Sequence, residues 1–441
     1  MSAPEDGAYE YPRLRPVEAF PTTLRGQQVL CLRDPMHYTD AIVSVPPQTA
    51  AILDLFDGRH SLLDIQEAFA RRFGVLLFRE QLQQVIHSLD DCLLLESPRF
   101  ASHRKAVEDD FRRAPHRPAR LAGTGYPSDA GHRKAVEDDF RRAPHRPARL
   151  AGTGYPSDPE ALRRELDGYF VAKDGPKDSP TSTEASRLNG LVVPHIDFAR
   201  GGPCYAWGYR ELAGVMPVDR WIVLGTAHVS MARPFALTRK AFETPLGPAD
   251  VDAECLDALL ARIGPGYLDD EFAHRGEHSI EFQGVFLRYA TPAHQPVRIV
   301  PILCGSFHEF VEARRPPQDG DPVEEFLGAL RETLAALGGR TVVIASADLA
   351  HVGPQFGASR PLTPGQLREV EDADRRTLAA VEAGDAEDFF RDVAKDGDRR
   401  HICGLPPIYA ALRVLGRSRG RLLRYGQWPD PNGTVTFAAL A

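Results

Sequence analysis

The chain has 441 residues, 43% of them apolar and 26% charged, with a net charge of −8. That length exceeds one ordinary core and predicts two domains, while the acidic balance gives no electrostatic ground for binding nucleic acid. No apolar run approaches the roughly 18 residues of a membrane span, and the acidic, Pro-rich opening MSAPEDGAYEYPRLRP lacks a signal-peptide pattern. The six cysteines (Cys31, Cys92, Cys204, Cys255, Cys304, Cys403) are scattered, with no CxxC pair. Such spacing argues for free thiols in a reducing compartment, and a cytoplasmic protein is expected.

Residues 1–25 carry no periodic signal and read as a flexible lead-in. From Gly26, QQVLCLRD and AIVSVP read as two short strands, and PPQTAAILDLF has apolar residues at helical spacing after a Pro start. Asp57-Gly58 marks a turn, Ser61 is a candidate N-cap for LLDIQEAFARRF, and REQLQQVIHSLDDCLLL is a third amphipathic helix. Together they predict a small α+β domain over 26–98. Its element order resembles that of PqqD-like peptide-recognition domains, which are relatives of winged helices. The resemblance implies a peptide or protein ligand, with a structural accessory role as the alternative. The third helix has few basic residues to meet phosphates, so a DNA ligand is disfavoured.

A stretch of 27 residues, HRKAVEDDFRRAPHRPARLAGTGYPSD, then occurs twice without a mismatch, at 103–129 and at 132–158. It is too polar to bury a core, and two copies fall short of a solenoid. Only the second runs on into PEALRRELDGYF, an amphipathic helix with Asp158 as N-cap and Pro159 at its first position. The span 99–144, with the first copy, is therefore expected to be a linker, and a second domain is expected over 145–441.

In that second domain apolar strands alternate with helices, which predicts an α/β fold around a mixed sheet. The strand-like runs lie at 190–194, 220–225, 234–240, 297–304, 341–347, 420–428 and 434–441. Helices are expected near 201–214, 251–262, 277–289, 322–337, 364–383, 385–395 and 404–415. Three of the strands end in residues of one chemical kind. GLVVPH ends at His195, with Asp197 two residues on; WIVLGTAH ends at His228; TVVIASADLAH ends with Asp348 and His351. Ligands of open α/β sheets bind at the carboxyl ends of strands. One histidine after a strand is more often structural, but three such ends point to a shared site. Cys403 stands just before a helix, where the helix dipole favours thiolate; a buried apolar thiol is the bland alternative. The segment RGEHSIEFQ adds Glu277, His278 and Glu281 as pocket-lining candidates, the last two sharing a helix face.

The stretches RPARLAGTGYPSDPEALRRELDGYF, VVPHIDFARGG, VLGTAHVSMARPFALTRKAFETPLG, EHSIEFQ, IVPILCG, IASADLAH and CGLPPIYAAL resemble the MEMO family, also described as protein B of the AmmeMemoRadiSam system. The resemblance covers about residues 146–441. It implies an extradiol-dioxygenase-like mixed sheet behind the winged-helix/PqqD-like domain. It also implies a metal held by His195, His228 and Cys403, with Asp348 and His351 as pocket neighbours. These two, with Asp197, are the candidate acid/base residues. The sequence departs from the better-known pattern by PHIDF in place of PHAGY and GTAHV in place of GPSHH, so Val229 replaces a second histidine. Two imidazoles and a thiolate suit iron, copper or zinc. The family association implies radical-SAM and AMMECR1-like partners. Two functions stay open on this reading: a metal-dependent, dioxygenase-like oxidoreductase, and a non-catalytic metal- or peptide-binding partner protein.

Overall fold

The computed structural model describes residues 9–15, 17–24, 27–33, 43–73, 75, 77–103, 140–177, 188–212, 217–358, 360–430 and 432–441. The chain divides into two compact units, Met1–Val136 and Glu137–Ala441. Most of the span expected as a linker, and nearly all of the first copy of the repeat, lies outside the described residues.

The first unit opens with a three-stranded antiparallel sheet, β1 (Glu18–Leu24), β2 (Gln27–Arg33) and β3 (Val43–Val45), in that order. Strand β1 falls inside the stretch expected as a lead-in. Its sequence EAFPTTL has no apolar alternation, and Pro21, which brings no N–H to the ladder, stands opposite Leu30 on an edge strand. Helices α1 (Pro47–Ala50), α2 (Leu62–Phe73) and α3 (Arg79–Asp91) follow. Ser61 and Asp64 cap α2 reciprocally, each side chain taking the other's backbone N–H. Leu32, Val45, Ile65, Phe69, Leu82, Ile86 and Leu89 form one buried core, giving an α+β unit.

In the second unit, β4 (His145–Arg146) and α4 (Pro159–Val171) lead to β5 (Gly190–Val193), α5 (Phe198–Arg210) and β6 (Arg220–Thr226). Next come β7 (Phe235–Leu237), β8 (Ala241–Phe242), β9 (Asp250–Val251), α6 (Ala253–Ile263), α7 (Ser279–Ala290) and β10 (Arg298–Cys304). After α8 (His308–Glu312) and α9 (Pro322–Leu337) the chain forms β11 (Thr341–Ser346) and β12 (Asp348–Val352). Helices α10 (Pro364–Ala383), α11 (Ala386–Ala394) and α12 (Leu405–Leu415) precede β13 (Leu422–Trp428) and β14 (Thr434–Leu440). The main sheet runs β12-β14-β5-β11-β6-β10-β7, with β13 on β14 and β9 on β10. Its centre, β5-β11-β6-β10, is parallel, while β7, β14, β12 and β13 join antiparallel. The mixed α/β architecture agrees with the alternation in the sequence. Strand β12 was not anticipated, because DLAH reads as the tail of β11; after a break at Ala347 the chain continues in the same direction but leaves the parallel centre to pair antiparallel with β14 at the end of the sheet.

Helices cover both faces of this sheet. Ile222, Leu224, Val300, Ile302, Val343 and Ala345 point into one core, with side chains of α6, α9, α11 and α12. Their neighbours Trp221, Val223, Ile299, Leu303, Val342 and Ile344 point into the other, with α4, α5 and α7. Two-sided burial explains why these strands are apolar throughout rather than alternating. Asp158 caps α4 through the Ala161 N–H, with Pro159 first in the helix, as the sequence predicts. Among the described residues, no helix is long and apolar enough to cross a membrane.

Candidate metal centre

The parallel order places β11 between β5 and β6. His195, just past β5, and His228, just past β6, therefore flank the carboxyl end of β11, where Ser346 and Asp348 lie. Three imidazoles gather there: His195, His228 and His278 offer ligand atoms that all lie within 4.8 Å of one another. The His195 ring meets the other two edge-on, and the rings of His228 and His278 stack with centroids 4.8 Å apart.

Each imidazole is held by the nitrogen it turns away from the cluster. His195 Nδ1 is 3.0 Å from the Ser346 carbonyl, which can only accept, so Nδ1 carries a proton and Nε2 is the nitrogen turned toward the cluster. His228 Nδ1 lies 3.1 Å from both oxygens of Glu277, and His278 Nδ1 lies 3.2 Å from Oε1 of the same carboxylate. Outer oxygen partners of this kind fix the tautomers of metal-binding histidines. Glu277 also accepts the backbone N–H groups of His228, His278 and Ser279, so its position is over-determined.

Cys403 lies against this trio of histidines without being one of its mutually close members, its Sγ 3.2 Å from His195 Nε2. Roughly 3.5 Å separates a thiolate and an imidazole on one tetrahedral ion, so the spacing fits shared ligation. Gly404 makes the approach feasible. It donates to the Asp348 carbonyl at 3.0 Å, and a Cβ there would stand 2.3 Å from that oxygen. Gly225 plays the same part for α7, since a Cβ would meet Ser279 Oγ at 2.6 Å.

The charges agree with this geometry. Burial opposes ionisation of the Cys403 thiol, but the charges of His195 and His351 and the imidazole hydrogen bonds outweigh it, pushing it down to about 5. Burial likewise opposes protonation of His195, yet Asp348 and Cys403 raise it to about 9. Glu277 is held well below the usual carboxylate range by His228 and His278 against its own burial, and the same carboxylate holds His228 up. His278 is the neutral member, pushed down to about 3 by burial and by the neighbouring imidazoles and Arg146. A thiolate and a carboxylate facing shared protons form a setting that a cation can enter by displacing those protons.

The remaining sequence candidates separate. Asp348 is buried beside the cluster: Oδ1 accepts the His195 backbone N–H at 3.0 Å, and Oδ2 lies 3.5 Å from Nε2. His351 sits further along β12, with Nδ1 against the Leu349 carbonyl and its ring edge on Phe356. Asp197 caps α5 and pairs with Arg200. Glu281 lies in the core rather than toward the imidazoles, paired with Arg146 and accepting from Tyr155 and the Leu150 N–H. A cleft of about 420 Å³ adjoins the group, lined by His228 and Cys403 with Thr226, Phe307, Asp398 and His401.

Two supports escape a reading of the sequence. The Ser346 carbonyl is a backbone group with no signature. Gln283 spans the ends of β5 and β11 by donating to the Pro194 carbonyl and to Ser346 Oγ, and it accepts from Tyr209. Its one visible signal is an amide at a core position between Phe282 and the apolar run Val285–Leu287.

A family model described as Memo-like protein matches residues 146–436. Among relatives, a MEMO1 family protein of Aquifex aeolicus is 25% identical over 414 residues, 93% of this chain and 94% of that protein. One of Thermus thermophilus is 27% identical over 369 residues, 84% of this chain and 94% of its own length. One of Methanopyrus kandleri is 31% identical over 292 residues, 64% of this chain and 93% of its own. The first two alignments are longer than the span Glu137–Ala441 and so extend into the preceding unit.

Proposed function

The chain belongs to the Memo-like family, and we propose that its C-terminal unit binds one metal ion on His195, His228 and Cys403, with His278 beside them. One observation carries the reading. The imidazoles converge to within 4.8 Å while their outward nitrogens are committed to the Ser346 carbonyl and the Glu277 carboxylate. The donor set suits a divalent or redox-active ion: iron by the dioxygenase-like resemblance, copper or zinc by the softness of sulfur. When bound, such an ion supplies Lewis acidity and, for iron or copper, electron transfer.

The chain's own residues do the rest. Ser346 and Glu277 keep the imidazoles in the ligating tautomer, and Asp348 fixes the backbone at His195. The cleft beside Cys403 has room for a small molecule. With Nδ1 facing a carbonyl, His351 keeps Nε2 to give or take a proton. Asp197 is left to its helix-capping role. We assign the unit as an oxidoreductase of this type, acting with O₂ on a small organic substrate.

A second reading keeps the ion without turnover, as a metal- and peptide-binding partner protein. Cys403 favours it, since a thiolate stands where the dioxygenase relatives carry a carboxylate. On either reading the N-terminal α+β unit is proposed as a winged-helix/PqqD-like peptide-binding module. Radical-SAM and AMMECR1-like proteins are the proposed partners. A reducing cytoplasm is the proposed setting, supported by six free cysteines.

Anaerobic purification followed by Fe, Cu and Zn analysis tests the site. One ion per chain is expected, lost in His195→Ala and in Cys403→Ala; full metal content in both variants overturns the assignment. Oxygen uptake with catechol-type compounds separates the readings, because only the oxidoreductase consumes it.

A further inference from the structure

We propose that Arg146, contributed by the second copy of the duplicated stretch, is a positioning residue of the metal centre. The inference rests on the metal reading above and extends it to a residue far from the ligands in sequence.

Arg146 is fully buried in β4, its guanidinium 4.8 Å from the centroid of the Phe242 ring. Its planar fork binds one short segment at three places. Nε donates to the His274 carbonyl at 2.5 Å and Nη2 to the Glu277 carbonyl at 2.7 Å. Nη1 donates to Glu281 Oε2 at 2.5 Å and to its neighbour's carbonyl, Pro147 O, at 3.0 Å. Glu277 is the residue whose carboxylate receives Nδ1 of both His228 and His278. A bond to its backbone carbonyl therefore decides where that carboxylate is presented, and through it how two imidazoles face the ion.

The rest of the seat comes from the same stretch. Tyr155 and the Leu150 N–H occupy the other oxygen of Glu281, so the acid is neutralised and saturated from residues 146–155 alone. Only arginine offers several donors in one rigid plane; a lysine brings the charge but not the fork. The role is thus distinct from charge balance, and Arg146→Lys separates the two.

The test is Co(II) binding by the full chain, read as affinity and as the visible ligand-field spectrum, with thermal unfolding followed in parallel. For Arg146→Lys, affinity about tenfold weaker and an altered spectrum are expected, the size typical of losing an outer support. Because the first copy is identical, Arg117 is the equivalent of Arg146, and the double variant Arg117→Lys/Arg146→Lys removes any substitution by it. Arg117→Lys alone should bind as the parent does. Should Arg146→Lys fail to fold, Arg146→Gln/Glu281→Gln removes both charges together and leaves the same question to the spectrum. Parental affinity and spectrum in the folded double variant overturn the inference while leaving the metal centre standing. A parent chain that takes up no Co(II) overturns the metal reading, and this inference with it.

Discussion

The proposed metal centre is braced on two sides by buried arginines, Arg146 and Arg400, and the two braces are built differently. Arg146 holds the imidazole side from a distance, reaching across 131 residues to Glu277 and ending mostly on backbone carbonyls. Arg400 holds the thiol side locally. It donates to Asp374 at 2.6 Å and to Thr377 at 2.7 Å, and its own carbonyl accepts the His351 N–H. Asp374 is then closed off by Thr436 and Tyr425. Three residues beyond Arg400 the chain delivers Cys403, through a loop in which Asp398 and His401 both take positive φ. Such conformations are strained for these residues and persist only where the surroundings impose them. One brace therefore tunes a carboxylate that touches two imidazoles, and the other is a sealed network whose product is a backbone path. Disturbing the first should change ligation more than stability, and disturbing the second should do the reverse.

Asp374→Ala gives the largest expected effect, because it takes the nearest carboxylate from the buried Arg400 guanidinium, leaving it only Asp392 at 3.6 Å, and strips Tyr425 and Thr436 of their shared acceptor. Denaturant unfolding should show a loss of about 3–5 kcal/mol, and a change below about 1 kcal/mol would show that the network is not sealed. Glu277→Gln comes next and tests the opposite side. Metal affinity should fall about 10–100-fold, whereas a drop in stability with unchanged affinity would erase the contrast between the braces. Gly404→Ala sets the Cys403 turn against the Asp348 carbonyl, so overpacking of about 1–3 kcal/mol is expected, together with weaker metal uptake. Calorimetry and metal titration of that one variant show whether thiol placement and stability are linked. The smallest effect belongs to Asp197→Ala, which removes a helix cap worth about 1 kcal/mol. Its metal content should equal the parent's; lost metal would return Asp197 to the centre.

These contrasts also mark what the sequence reveals. His195, His228, Asp348 and Cys403 are legible because each follows an apolar strand or precedes a helix, and such positions have a known direction in an open α/β sheet. The alternation of strands and helices from β5 onward is legible for the same reason. Arg146, Arg400 and Gln283 are not, since a buried polar residue takes its meaning from partners that topology supplies. Glu281 shows the limit of helix-face arguments: three residues from His278, it turns into the core because Arg146 waits there. His278 illustrates the reverse, a residue whose spacing suggested only the pocket wall and which the fold places among the imidazoles. Strand β1 escaped notice because an edge strand with a proline carries no periodic pattern.

The imidazoles are also unequally covered: the side chain of His195 is 2% exposed, against 39% for His228 and 35% for His278. An ion on the proposed centre would be gripped at the floor and reachable from the mouth. A small chelator would then meet the stacked pair first, and stripping would need no unfolding of the sheet. That is the behaviour of an exchangeable port rather than of a sealed structural site.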